Sequence, residues 1–198
     1  MANVIPIVLF AVLLLSGCFT FTPLPTDERP AAWAQPVPDA HLGNFYQVTP
    51  DLYRAHYPSG EKDLRDLLNA GIATVINLRA HTSADATIAA AGLVTHTYKM
   101  NAGAVSQDDL EHVLRLILGS PKPVLVHCWH GADRTGFIIA SYRIVCQGWS
   151  KEEAIREMRH GGFNSHRIYA SMADILRSLD TEALQSRILV SCKIQTTE

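Results

Sequence analysis

Pro123-Val124-Leu125-Val126-His127-Cys128-Trp129-His130-Gly131-Ala132-Asp133-Arg134-Thr135-Gly136-Phe137-Ile138-Ile139-Ala140 reads as a strand, a loop and a helix in direct succession. The apolar run before the cysteine has the length of a buried strand, and the one after Gly136 continues a buried helix that begins near Arg134. Arg134 stands six positions after Cys128, with Gly131 between them to allow a tight bend. Backbone N–H groups gathered in such a turn converge on one oxyanion. The helix N-terminus and the guanidinium also favour the thiolate form of Cys128. A nucleophilic sulfur beneath a bound phosphate is the physical core of cysteine-based phosphate-ester hydrolysis.

The flanking sequence sets this loop in an α/β frame. Short paired strands are predicted at 44–48 and 52–54, around Thr49-Pro50-Asp51. A helix over 61–69, a strand rich in branched residues over 72–78, a helix over 83–91 and a strand over 94–99 follow. Ser106 and Asp109 form a capping box before Leu110, Val113, Leu114 and Ile117, which have helical spacing. The helix after the loop runs over 134–147 and stops at Gly148. Ser150 and Glu153 offer a second capping box, for a helix to Arg159, and a last helix is expected over 167–179, with a less defined piece after Thr181. Strands alternating with helices predict a central, mostly parallel sheet flanked by helices. The loop then sits at the carboxyl edge of a central strand.

The chain has 198 residues, 47% of them hydrophobic, enough for a sizeable core. Seventeen Lys and Arg against nineteen Asp and Glu give a formal charge of -2 with no basic stripe, which argues against nucleic acid as a partner. Residues 4–15 are almost wholly apolar, too short a run for a membrane span but suited to an export signal. Leu15-Ser16-Gly17-Cys18 resembles the lipobox of bacterial lipoproteins, so the expectation is export to the periplasm with a lipid on Cys18 and tethering to the outer membrane, the alternative being a plain cleaved signal in which Cys18 is incidental. The expected organisation is a signal at 1–18, a flexible Pro-, Thr- and Ala-rich linker at 19–41, a catalytic domain at 42–180 and an extension at 181–198. Cys146 reads as a small buried residue, and a Cys146–Cys192 bridge is left open.

Each loop residue carries an expectation. Cys128 is the nucleophile. Arg134 offers a rigid fork of donors to phosphoryl oxygens. Thr135 is placed to hydrogen-bond the sulfur, and His127 to orient the loop through its backbone. Trp129 and His130 belong either to the pocket mouth or to packing behind it. The Asp133 carboxylate is unsuited to face a dianion, so it is expected to turn away and tie down a neighbouring segment. Arg79, at a strand end, reads as a solvated residue, or as one that pairs with Asp133 or widens the positive field. Residues 160–167 are placed at the rim. The spacing of His127, Cys128, His130 and Asp133 does not resemble a zinc frame, so neither metal nor cofactor is expected.

The loop resembles the Cys-x5-Arg signature of the protein tyrosine phosphatase superfamily, in the form His-Cys-x-x-Gly-x-x-Arg-Thr-Gly. More narrowly, the chain looks like the exported bacterial dual-specificity-like phosphatases, through Leu52-Tyr53-Arg54, Val75-Ile76-Asn77-Leu78-Arg79 and Gln147-Gly148-Trp149-Ser150-Lys151-Glu152-Glu153-Ala154. The resemblance implies a phosphocysteine intermediate on Cys128. It also implies phosphate held by Trp129, His130, Gly131, Ala132, Asp133, Arg134 and Thr135, without a metal. Phosphorylated proteins or small phosphomonoesters are the implied substrates. It further implies an aspartic acid, on the loop after Met100, that protonates the leaving oxygen. Here that loop opens with Asn101, and Asp108 is the candidate acid, Asp109 being better explained by the helix cap. Two other readings stand beside this one: an inositol-phosphate or phosphoinositide phosphatase, disfavoured by the absence of lysine from 129–133, and a phosphate-binding module without turnover.

Overall fold

The computed structural model describes residues 19–81 and 84–195, with side chains as far as residue 188. Six strands form one sheet in the order β1 (Gln35–Pro36), β2 (Tyr46–Thr49), β3 (Leu52–Ala55), β6 (Val124–His127), β4 (Thr74–Asn77), β5 (Val94–Thr97). The four from β3 to β5 run parallel, and β1 and β2 are added antiparallel at one edge. β6 lies inside the parallel block, paired on both sides. Its register sets Ala55, His127 and Asn77 level at the carboxyl edge. The chain leaves all three strands there, so the segments after β3, β4 and β6 meet at one place.

Side-chain alternation divides the sheet into two faces. Val124, Val126 and Cys128 point into the larger core, and Leu125 into the smaller. α1 (Glu61–Asn69) and α2 (Asp85–Ala90) cover the smaller face through Leu67 and Ile88. α3 (Gln107–Gly119), α4 (Asp133–Gln147), α5 (Lys151–His160), α6 (Met172–Ser178) and α7 (Thr181–Gln195) cover the larger. α3 starts at the expected capping box, with Ser106 Oγ accepting from Asp109 N and the Asp109 carboxylate accepting from Ser106 N. The middle of α4, Thr135 to Ser141, is buried on every side, by the sheet and by the surrounding helices α3, α5, α6 and α7.

Several expectations are corrected. Residues 19–41, read as a flexible linker, lie against the domain: Trp33 and Ala34 are buried, Gln35–Pro36 pairs as β1, and Phe21 N and Leu24 N donate to Ser165 O and His160 O at 2.9 Å. The composition suggested a tether, but Trp33 brings a large apolar side chain that is buried when the segment packs. The piece after Thr181 is the 15-residue α7, whose Leu184 and Ile188 belong to the main core. The last predicted helix divides into a 3-10 turn, Arg167–Tyr169, and α6. Cys146 is exposed, because the last turn of α4 emerges from the bundle that surrounds the earlier ones. The Cys18 expectations and the Cys146–Cys192 bridge fall outside the described residues and side chains.

Candidate active site

Residues 128–132 link β6 to α4 and are held in shape from outside. Tyr57 N donates to Trp129 O at 3.1 Å, and Asn44 Nδ2 to His130 O at 2.9 Å. Arg54 Nη2 donates to Gly131 O at 2.6 Å and, more weakly, to Ala132 O at 3.4 Å. In a planar trans peptide the N–H points opposite to the C=O. Each captured carbonyl therefore turns the following N–H, from His130 to Asp133, away from its anchor. Those N–H groups and the first turn of α4 lie beside Cys128 with Arg134, an arrangement of donors that can bind an anion.

Gly131 is indispensable to this turn. Its φ is +67°, and a Cβ there would lie 2.3 Å from Ala55 O, inside the neighbouring strand. Arg54 is fully buried, stacked 3.5 Å from the Phe163 ring centroid, and desolvation lowers its pKa to about 10, which leaves it charged at neutral pH. From sequence Arg54 entered only through the Leu52-Tyr53-Arg54 resemblance, with no role given to it. The available signal was an arginine in a strand otherwise buried along its length, since a buried cation needs acceptors.

Cys128 is buried, 3% exposed, at the floor of a cavity of about 250 Å³. Arg134, Trp129, His130 and Asp133 line it from the loop, and Ala102, His166, Ile168 and Tyr169 from neighbouring segments. The Arg134 Nη1 donates to Leu78 O at 3.1 Å and Met100 O at 3.2 Å. The loop after Met100 thus flanks the cavity, as expected. Asn101, however, is exposed, and its Oδ1 accepts from its own turn, Gly103 N, at 3.1 Å.

Asp108 is not brought to the cavity. It is exposed on the first turn of α3 and borders a separate groove with Glu111, His112 and Arg115. Asp109 is occupied by the cap and by Tyr98 Oη, 2.9 Å away. Thr135 is buried, but its hydroxyl makes no hydrogen bond among the described residues, to the sulfur or otherwise. His127 takes the orienting role read from the sequence. Its Nδ1 lies 3.1 Å from Cys128 O, and burial pushes its pKa down to about 4, so the ring is neutral.

The Asp133 carboxylate turns away from the cradle, as expected, and its partner is His166: Oδ1 accepts from the backbone N at 2.8 Å, and Oδ2 lies 2.7 Å from Nδ1. Trp129 and His130 are exposed and also border a second, adjoining cleft of about 480 Å³ with His56, Tyr57 and His166. They stand at the mouth. Arg79 is corrected: it is buried, with its guanidinium carbon 3.8 Å from the Tyr57 ring centroid and 4.3 Å from that of Trp129. Two aromatic faces attract the cation more effectively than an edge position in water. Among the described residues no group of three His, Cys, Asp or Glu side chains could hold a metal ion.

The comparisons agree with this geometry. Residues 52–148 match the family described as "Polymorphic toxin system, DSP-PTPase phosphatase". The dual specificity protein phosphatase TpbA of Pseudomonas aeruginosa is 35% identical over 164 residues, covering 79% of this chain and 71% of the relative. A crystal structure of TpbA superposes with a TM-score of 0.73 at 32% identity, over 81% of this chain and 99% of that one. A TpbA structure with cysteine replaced by serine, bound to phosphotyrosine, gives the same score over 98% of its length. The Siw14 catalytic core shares the fold alone, at a TM-score of 0.65 and 19% identity, over 77% of this chain and 92% of its own. The chain is a phosphatase and belongs to the bacterial dual-specificity phosphatase-like family.

Proposed function

We propose that this phosphatase hydrolyses phosphotyrosine in proteins through a phosphocysteine on Cys128. The observation that carries the reading is that three loop carbonyls, Trp129 to Gly131, are held from outside the loop, and Ala132 O by Gly136 N at 2.8 Å in the first turn of α4, so that the following N–H groups point away from these anchors. Three phosphoryl oxygens fit such a cradle. Arg134 leaves the Leu78 and Met100 carbonyls to bind two of them through its planar fork. The Cys128 thiolate then attacks phosphorus in line with the ester oxygen, and charge growing on the equatorial oxygens meets donors already in place. Water cleaves the phosphocysteine, releasing phosphate and restoring the thiolate.

The TpbA complex with phosphotyrosine supports an aromatic ester as substrate. So does the mouth, where Trp129 is 52% exposed and Tyr169 also lines the cavity. A phosphotyrosyl peptide incubated with the protein and with its Cys128→Ser form tests the reading. Turnover by the first, and binding without turnover by the second, is the expected result. Turnover surviving the substitution would contradict it. Comparable turnover of a phosphothreonyl peptide would extend the specificity to both classes.

The N-terminal sequence supports export and lipid attachment at Cys18, on the periplasmic side of the outer membrane. Because Phe19 O already accepts from Arg167 N at 2.8 Å, a lipid on Cys18 would hold the domain close to the bilayer. Labelled palmitate incorporated by the native chain and not by Cys18→Ala is the expected outcome. Equal labelling of both, or of neither, would remove lipidation at that residue.

A further inference from the structure

The cavity over Cys128 lacks an acid where the loop after Met100 would supply one. Asn101 bonds its own turn, and Asp108 borders another groove. A phenolate is a poor leaving group, and proton donation to it contributes typically 10²- to 10⁴-fold. Besides Cys128 and Arg134, four cavity side chains carry an ionisable group, His130, Asp133, His166 and Tyr169, and the Asp133 carboxylate is taken by two bonds to His166. Tyr169 is a phenol and gains nothing by protonating another phenol. His130 is exposed, and among the described residues no hydrogen bond fixes its ring. His166 is fixed twice by one carboxylate, through its backbone N (2.8 Å) and its Nδ1 (2.7 Å) to Asp133. With Nδ1 committed, Nε2 is the nitrogen left to exchange a proton.

We infer that His166, oriented by Asp133, is the proton donor to the leaving oxygen. The proposal rests on the phosphatase reading of Cys128. In the first step Cys128 Sγ forms its bond to phosphorus, and the ester P–O bond breaks with its electron pair on the phenolic oxygen. That oxygen takes the Nε2 proton of the His166 imidazolium, leaving tyrosine and a neutral ring. In the second step Nε2 accepts a proton from water as the water oxygen bonds phosphorus. The S–P bond breaks toward sulfur, and phosphate leaves with the thiolate and the imidazolium restored. Asp133 is a positioning residue: it belongs to the loop that binds phosphate, so it ties the donor to the phosphate site itself. The bracing extends further, since Thr20 bridges to His166 and Arg167 N donates to Phe19 O at 2.8 Å.

The test compares leaving groups. Wild type, His166→Gln and Asp133→Asn are assayed on phenyl phosphate and on p-nitrophenyl phosphate, whose phenolate leaves without help. His166→Gln is expected to lose about 10²-fold in kcat/KM on phenyl phosphate and less than a few-fold on the activated ester, which also reports that the variant is folded. Asp133→Asn is expected to fall between. The wild-type phenyl phosphate profile should decline on its basic side, and His166→Gln should lack that decline. The titratable and charged groups around the imidazole are Asp133, His130 and Tyr169, with Cys128, Arg134 and Arg159 along the adjoining walls and His56 and Tyr57 in the neighbouring cleft. An equal loss on both esters, or no loss on either, overturns the assignment. If the wild type hydrolyses neither ester, the phosphatase reading itself fails. If it hydrolyses both and already discriminates as steeply as the variant, only the proton donor is lost.

Discussion

Gly131 and His127 show how single positions govern the loop. At Gly131 the left-handed backbone costs a side-chain-bearing residue about 1–3 kcal/mol, and the missing Cβ is where Ala55 O lies. Gly131→Ala should therefore lower the melting temperature and reduce kcat/KM by about 10²-fold or more, since displaced cradle donors cost that much. Steady-state kinetics beside a thermal melt will show both. His127 holds the loop as a neutral ring with its pKa depressed to about 4. An unfolded histidine binds a proton near pH 6.5 while the folded one does not, so the unfolded chain gains protons first as pH falls. Stability present above pH 6.5 should decline between 6.5 and 4 by on the order of 3 kcal/mol. Urea titrations at pH 7 and 4.5 should show a smaller difference for His127→Asn than for wild type.

Among the elements, α4 and α5 are joined by a buried ion pair that polar spacing alone did not announce. Arg143 Nε and Nη2 each lie 2.9 Å from a Glu157 oxygen, and Ala34 N donates to Glu157 Oε1 at 2.6 Å. One carboxylate thus binds both helices and the strap before β1. Removing it leaves a buried guanidinium, so Glu157→Ala should cost about 3–5 kcal/mol, read by denaturant unfolding. Local signals were legible at this scale: the Ser106–Asp109 box, the Gly148 stop and the strand–loop–helix around Cys128 all follow from short-range chemistry. The second box forms only in half. Ser150 Oγ accepts from Glu153 N, but Glu153 Oε1 is taken by Trp33 Nε1 at 2.7 Å, a partner 120 residues away. Arg54 and Arg79 escaped for the same reason. Their acceptors and aromatic partners come from other segments, and the one local signal, an arginine inside a buried strand, belongs to Arg54 alone.

At the scale of the whole molecule, the strap at 19–41 determines how far the domain extends. Composition marked it as a linker, yet it closes β1, buries Trp33 and braces the segment carrying His166. Trp33→Ala should destabilise the protein by about 3–5 kcal/mol, and a chain starting at residue 42 should melt well below one starting at residue 19. A start at 42 with an unchanged melt would return the segment to the role of tether. The sheet order, by contrast, follows from parallel pairing of the apolar runs, and it brings the ends of β3, β4 and β6 to Cys128. The central claim is that this sulfur carries the phosphoryl group. Acid quench of the protein during turnover of a phosphotyrosyl peptide, followed by mass spectrometry, should find phosphate on Cys128 in wild type and none in Cys128→Ser. Turnover with no phosphate on Cys128, retained when the residue is serine, would contradict the account.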